Sequence, residues 1–190
     1  MVEPAVAVIV SANSHLRTAS GGAHDTARVA GQEYQRACAA LLQGHPDGLP
    51  LGSARLTGDP SDRYKLTAGA RRVIQAITVR YVNGERIRAT PEIVYHAARS
   101  AFAVADDAGI DSIATYLWAI RDGYGTARPA AMARALINAA ADHGGDAVNL
   151  RRIAICEQSS DHMRYWLAVE ALLQLRDLSH AHPHAWRHPT

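Results

Sequence analysis

The pattern of apolar and polar residues along the chain predicts strands and helices in alternation. Short apolar runs rich in Val, Ile and Ala indicate strands, at 6–10, 52–57, 72–82, 111–118 and 151–156. Apolar residues at helical spacing indicate helices between them, at 25–43, 90–107, 130–143 and 160–178. Because such alternation is typical of α/β proteins, we predict a three-layer α/β/α sandwich around a mixed, largely parallel central sheet.

Local signals mark helix boundaries and the extent of the domain. Thr90-Pro91-Glu92 predicts a helix start, because a capping hydroxyl precedes a proline at the first helical position and an acid in the first turn. Gly144-Gly145 predicts the end of the next helix. No repeat or linker divides the chain, so we predict one domain over 1–178 and a histidine-rich C-terminal tail over 179–190.

The first strand leads into a loop that has features of an anion-binding site. Asn13 follows the strand, Gly21-Gly22 come next, and a helix is predicted to begin just after them. Glycines let the backbone approach a ligand closely. A helix N-terminus offers N–H groups and a positive dipole end to phosphate.

Two further loops should lie beside this one. Ligands of open α/β sheets bind outside the carboxyl ends of the strands. The loops after Val10, Trp118 and Cys156 should therefore share one rim of the sheet. The loop after Trp118 contains Gly123-Tyr124-Gly125, so we expect the two glycine-bearing loops to meet over one cleft.

Composition narrows the class of protein without identifying a function. The chain of 190 residues is 48% hydrophobic and 20% charged, which is ordinary for a soluble globular protein. A formal net charge of +2 gives no strong field that would select nucleic acid over other anions. No apolar run approaches a membrane span and no signal segment is evident, so we expect a cytoplasmic protein without a membrane partner.

Cysteine and histidine positions do not predict a metal site. Cys38 and Cys156 have neither the spacing of a metal motif nor that of a disulfide framework. The histidines of the 179–190 tail could bind a metal, but we favour a frayed terminus because no acidic or cysteine ligands accompany them. We expect no metal and no cofactor.

Several short motifs, taken in order, resemble the macro domain family. The first ligand loop of that family and its following helix resemble Ile9-Val10-Ser11-Ala12-Asn13-Ser14, Gly21-Gly22-Ala23 and Ala30-Gly31. The resemblance continues through 52–57, Val73-Ile74-Gln75-Ala76-Ile77, Ser112-Ile113-Ala114 and the Gly123-Tyr124-Gly125 loop, and covers residues 5–157. It implies the fold of that family and binding of ADP-ribose or a related nucleotide diphosphate.

The resemblance also implies roles for individual residues. Asn13 would hold the distal ribose through its amide, which has a donor and an acceptor. The backbone of Gly21, Gly22 and Ala23 would line the distal ribose and the pyrophosphate, and Gly123, Tyr124 and Gly125 would form the opposing phosphate clamp. The residues alone leave other interpretations open. A strand-ending Asn often only turns the chain, paired glycines can simply form a turn, and Tyr124 can be an exposed loop residue.

The sequence departs from the family pattern in four respects. The first strand follows Met1 almost directly, so we expect no counterpart of the Asp that contacts the adenine amino group in the family. The first loop is shorter by one residue, and segment 118–122 is an insertion before the second loop. Cys156-Glu157 lacks the aromatic residue that commonly stacks on adenine. These departures motivate an alternative, a degenerate macro-like scaffold that does not bind nucleotides.

A catalytic function is a further alternative. Many hydrolytic members of the family carry an Asp after the glycines, where this chain has His24 followed by Asp25. Either side chain could accept a proton in an ADP-ribosyl hydrolase. The other interpretations are a solvated His24 and an Asp25 that stabilises the first helical turn. A mechanism through a lysine adduct is not expected, because Lys65 follows a turn instead of lying on the matched strand.

The partners follow from these hypotheses. We expect ADP-ribose or an ADP-ribosylated substrate, which could be protein, nucleic acid or O-acetyl-ADP-ribose. Nucleic acid is expected only as such a modified substrate. Without the extra first strand of the family, a sheet edge would be exposed, from which we predict a homodimer.

Overall fold

The fold is built on one mixed β-sheet with helices on both of its faces. A computed structural model describes residues 5–18, 21–58, 64, 66, 70–119, 128–156, 166, 170 and 171. The strands are β1 (Ala7–Asn13), β2 (Ala54–Leu56), β3 (Arg72–Val82), β4 (Glu85–Ile87), β5 (Ser112–Thr115) and β6 (Arg152–Ile155). The helices with bounds in this part of the chain are α1 (Gly21–Leu41), α2 (Pro91–Asp107) and α3 (Pro129–Gly144).

The sheet is mostly parallel, as predicted. Its order is β2-β3-β1-β5-β6, and β4 pairs with β3 outside this path. β1 is parallel to both of its neighbours, since Val8 pairs with Val73 of β3 and with Ala114 of β5. β5 and β6 are also parallel, whereas β2 and β4 run antiparallel to β3. The parallel strands therefore all end at the same edge of the sheet.

Two apolar clusters cover opposite faces of the sheet and confirm the three-layer prediction. Successive strand residues point to opposite faces. Ala7 and Ile9 of β1 belong to the cluster that contains the buried residues of α2 and α3. Val10 and Ala12 belong to the cluster that contains the buried residues of α1. The central strand β1 is thus buried on both faces, which explains its continuous apolar sequence.

A buried polar network joins α1 to the sheet. Gln75 of β3 is 1% exposed, and its Nε2 donates to the hydroxyl of Tyr34 at 2.5 Å and to Oγ1 of Thr57 at 3.0 Å. Cys38 lies beside the same amide, and burial raises the pKa of its thiol to about 11. Burial likewise raises the pKa of the Tyr34 phenol above its ordinary value. These groups remain neutral near pH 7, as a network within a core requires.

The structure corrects two predicted boundaries, the start of α1 and the end of β5. α1 begins at Gly21, so the paired glycines form its first turn instead of a loop before it. One of the two interpretations of Asp25, that it is a first-turn acid, is therefore wrong, because the first turn of α1 contains no acid. α1 also contains a kink at Gly31, whose φ of 77° favours glycine. β5 ends at Thr115 instead of reaching Trp118.

The sequence prediction missed one hairpin. β3 and β4 are joined by Asn83-Gly84, which have φ angles of 51° and 83°. Positive φ at both central residues is the geometry of the two-residue turn that Asn-Gly favours. The sequence analysis predicts a strand over 72–82 and none after it, although Asn83-Gly84 is itself the signal for a hairpin.

Some predictions lie outside the described residues. These are the 120–127 loop with Gly123, Tyr124 and Gly125, the 179–190 tail, and most of the predicted helix over 160–178. Within the described ranges, no helix is both long and apolar enough to cross a membrane. In the same ranges, no group of three or more His, Cys, Asp or Glu side chains could hold a metal ion.

A buried carboxylate fixes the segment that enters β6. Asp106, near the end of α2, accepts hydrogen bonds from the backbone N–H groups of Val148, Asn149 and Leu150 at 2.5 to 3.0 Å. The N–H of Val148 contributes most to holding the pKa of Asp106 below its ordinary value, and the other two donors act in the same direction. Asn149 completes the contact by donating its Nδ2 to the carbonyl of Asp106.

We predict that Asp106→Asn lowers the free energy of unfolding by about 2 kcal/mol at pH 7, because buried N–H groups lose a charged acceptor. The depressed pKa means that the wild-type carboxylate stabilises the fold above its unfolded pKa of about 3.9. This stabilisation is lost as the pH falls through the folded-state pKa, so the two proteins should converge in acid. Urea unfolding at several pH values measures the difference. Asp107→Asn, at an exposed neighbour, is the matched control and should have little effect.

Candidate functional site

β1 outruns β5 at the carboxyl edge of the sheet, and we call the region beside the end of β1, on its β5 side, the crevice. β1 pairs with β5 only at Ala7 and Val8, yet it continues to Asn13. Residues 9–13 extend about 16 Å past the last pair at the usual rise of a strand. On the β5 side of this extension, no strand is paired in the part of the chain that the structure describes. In the described residues, β1 therefore has a strand partner only on its β3 side from Ile9 to Asn13.

The segments that leave the two strands diverge to opposite faces of the sheet. Leu16, after β1, is buried in the cluster on the α1 face. Leu117 and Trp118, after β5, are fully buried in the cluster on the α2 and α3 face. The indole Nε1 of Trp118 donates to Oγ1 of Thr115, and that hydroxyl donates to the carbonyl of Ile9. Divergence of this kind is the topological switch point at which open α/β sheets bind ligands.

The side chain of Asn13 organises the loop after β1. Its Oδ1 accepts hydrogen bonds from the backbone N–H groups of His15 and Arg17, both at 3.1 Å. Its Nδ2 donates to the carbonyl of Arg17 at 2.8 Å. One amide thus bonds to both ends of a tight turn, which is how Asn side chains commonly stabilise turns. These bonds occupy one of the two Nδ2 hydrogens, so a donor remains on this half-buried side chain.

Ser14 is held between β3 and a second loop, residues 44–49. Its N–H donates to the carbonyl of Val79 at 2.7 Å, and its carbonyl accepts from the N–H of Leu49 at 2.7 Å. Gly48 packs so closely that a Cβ there would lie 2.8 Å from the Ser14 carbonyl oxygen, and its φ is 80°. The sequence analysis predicts no contact for this segment, because nothing near Gly48 in the sequence indicates what it packs against.

The first turn of α1 follows the loop that Asn13 organises after β1. Gly21, Gly22 and Ala23 begin the helix, so their N–H groups belong to the first turn, where no intrahelical acceptor exists. Ala23 is buried, whereas His24 and Asp25 are both exposed. The Nδ1–H of His24 donates to the carbonyl of Thr18 at 2.9 Å. This acceptor leaves Nε2 of the neutral ring as the nitrogen that can take a proton.

The structure thus brings together only part of the predicted site. Asn13, Gly21, Gly22, Ala23, His24 and Asp25 lie along one stretch at the carboxyl end of β1. The opposing residues Gly123, Tyr124 and Gly125 fall outside the described residues. Cys156, exposed after β6, donates its N–H to the carbonyl of Thr115, so the third predicted loop also starts at this rim.

Comparison with known proteins gives one family. A family model described as Macro domain matches residues 9–137, which is more than half of the 190-residue chain. No curated protein is a significant match.

Solved structures support the same fold. A macrodomain of Oceanobacillus iheyensis with ADP has 16% sequence identity and a TM-score of 0.70, and the match covers 91% of this chain and 85% of that chain. A macrodomain of Trypanosoma brucei in complex with ADP-ribose has 21% identity and a TM-score of 0.63. That match covers 88% of this chain and 63% of the other, so this chain spans less than two thirds of the trypanosome protein.

We predict that Gly48→Ala destabilises the protein more than Gly44→Ala does. Both glycines have φ near 80°, so an alanine costs about 1–2 kcal/mol of backbone strain at either position. Only at position 48 does the new Cβ meet the backbone of Ser14, whereas nothing lies within 4 Å at position 44. Urea unfolding measures the two losses, and amide chemical shifts of residues 13–17 should move only in Gly48→Ala. Equal losses with unchanged shifts would contradict the close packing on Ser14.

Proposed function

The chain belongs to the macro domain family, and from this premise we propose that it binds ADP-ribose in the crevice at the carboxyl ends of β1 and β5. The observation that carries the proposal is the divergence of the two following segments, with the first turn of α1 beside the end of β1. The two macrodomain structures, one with ADP and one in complex with ADP-ribose, support a diphosphate as the ligand.

The chemistry of the crevice suits the parts of that ligand. The pyrophosphate would sit against the N–H groups of Gly21, Gly22 and Ala23, where the positive end of the helix dipole favours a dianion. The distal ribose would lie beside Asn13, whose remaining Nδ2 hydrogen can donate to a sugar hydroxyl. Gly123, Tyr124 and Gly125 would close the other side as the phosphate clamp.

Isothermal titration calorimetry with ADP-ribose tests the proposal. We expect one site per chain, and we expect Asn13→Asp to weaken affinity at least tenfold. Aspartate keeps the acceptor for His15 and Arg17, but it removes the Nδ2 donor and adds a negative charge near the diphosphate. Asn138→Asp, at an exposed position of α3, makes the same charge change and should leave affinity unaltered. Absence of heat at millimolar ADP-ribose would contradict the proposal. The alternative of a degenerate macro-like scaffold that does not bind nucleotides would then be favoured.

A second candidate function is hydrolysis of an ADP-ribosyl bond. The bond between His24 and Thr18 favours it, because it orients the ring and leaves Nε2 to accept a proton from water. Asp25 is exposed on the next residue of the same helix and is the other candidate base.

We predict that His24→Ala abolishes turnover of an ADP-ribosylated substrate while affinity for ADP-ribose changes less than threefold. The matched control is His45→Ala, which removes an exposed histidine from the neighbouring loop. Chromatographic release of ADP-ribose from modified protein, nucleic acid and O-acetyl-ADP-ribose measures turnover. If His24→Ala and Asp25→Asn both hydrolyse at the wild-type rate, neither residue is the base. No release by the wild type from any of the three substrates would leave a binding protein only.

A further inference from the structure

The hairpin of β3 and β4, residues 80–88, extends past the end of β1. The last residue of β3 that pairs with β1 is Val79, opposite Asn13. Beyond it, Arg80, Tyr81 and Val82 pair only with β4 in the described part of the chain. This two-stranded ribbon therefore projects from the carboxyl edge of the sheet, the edge that also carries the crevice.

The two faces of the hairpin differ in chemistry. Tyr81 lies directly opposite Arg86, and alternation along the chain places Arg88 on the same side as Arg86. The other face carries Arg80, Val82, Glu85 and Ile87. The one acid of the hairpin thus points away from the Tyr81 face. Tyr81 is 40% exposed, Arg88 is exposed and Arg86 is half-buried, so an aromatic ring and cationic side chains reach the surface on this face.

We propose that the Tyr81, Arg86 and Arg88 face of this hairpin binds single-stranded nucleic acid. Guanidinium groups match phosphate oxygens in geometry and charge. An exposed aromatic ring beside them offers a surface on which an unstacked base can stack, and the bases of a single strand are free to do so. An acidic peptide would use the arginines but would gain little from the ring, so the pairing of both favours a nucleic acid.

The position of the face connects it to the crevice. The carbonyl of Val79 accepts from the N–H of Ser14, so Tyr81 lies two residues beyond the point where β3 contacts the loop of Asn13. A strand bound along the hairpin would pass beside this loop. We therefore infer that the molecule carrying the ADP-ribose bound in the crevice is a nucleic acid. This acceptor role rests on the proposed ADP-ribose site, whereas binding of an unmodified strand does not.

Fluorescence anisotropy with a labelled single-stranded DNA of about 12 nucleotides, an ordinary site size, tests the proposal. Arg86→Gln/Arg88→Gln should weaken binding and reduce the slope of log affinity against log salt by about 1.4, since each lost phosphate contact contributes about 0.7. Tyr81→Ala should weaken binding about tenfold through lost stacking. The control, Arg71→Gln/Arg151→Gln, removes the same charge from exposed positions that precede β3 and β6, at the opposite end of the sheet.

The outcomes separate the alternatives. Weaker binding in the hairpin variants alone supports the proposal, and Arg88→Gln by itself provides the same test if the double variant does not fold. The proposal would be overturned by equal weakening in the control pair or by equal affinity for polyglutamate. It would also be overturned if the wild type does not bind at low salt, about 50 mM. A dimer in sedimentation that Tyr81→Glu converts to monomer would overturn it as well, because the Tyr81 face would then be buried between copies. ADP-ribose titrations of the same variants should be unchanged, so failure of either proposal is seen separately.

Discussion

The crevice depends on how the chain is held at the single residue that follows β1. Ser14 is fully buried, and both of its backbone polar groups are bonded, its N–H to Val79 of β3 and its carbonyl to Leu49 of the 44–49 loop. Buried backbone groups that lose their partners destabilise a fold, so this pair of bonds strongly favours one position for the chain. The turn of Asn13 and the first turn of α1 are built outward from that position. A crevice of defined shape requires such an anchor, because a loop without one samples many conformations.

The sheet order then determines what can lie beside the anchored loop. β1 is central and is buried on both faces, and the chain after it turns toward the α1 face. The chain after β5 turns toward the other face, where Trp118 is fixed through Thr115 to the carbonyl of Ile9. The hairpin projects from the same edge of the sheet, so the two proposed sites, for ADP-ribose and for nucleic acid, lie at one edge.

The sequence predicted the sheet well because burial on both faces leaves a continuous apolar run. Arg72–Val82 was predicted with its observed bounds, and Thr90 caps α2 by accepting from the N–H of Ile93. Errors occur where apolar residues are buried without regular structure. Leu117 and Trp118 extended the predicted strand because the core requires them whether or not a strand continues. Gly21-Gly22 were placed before the helix because glycine is a poor helix former, although the first turn tolerates it.

The candidate site was less predictable, since its geometry depends on contacts between distant segments. The sequence indicated Asn13 and the glycines near α1, but not that the Asn13 amide bonds to residues 15 and 17. Nothing near Gly48 in the sequence indicated its contact with Ser14, which lies far earlier in the chain.

A crystal structure of the protein soaked with ADP-ribose tests the central claim most directly. The account predicts electron density for the diphosphate against the N–H groups of Gly21, Gly22 and Ala23, with a ribose beside Asn13. Density at the amino ends of the strands, or a crevice filled by the chain itself at saturating ADP-ribose, would contradict it.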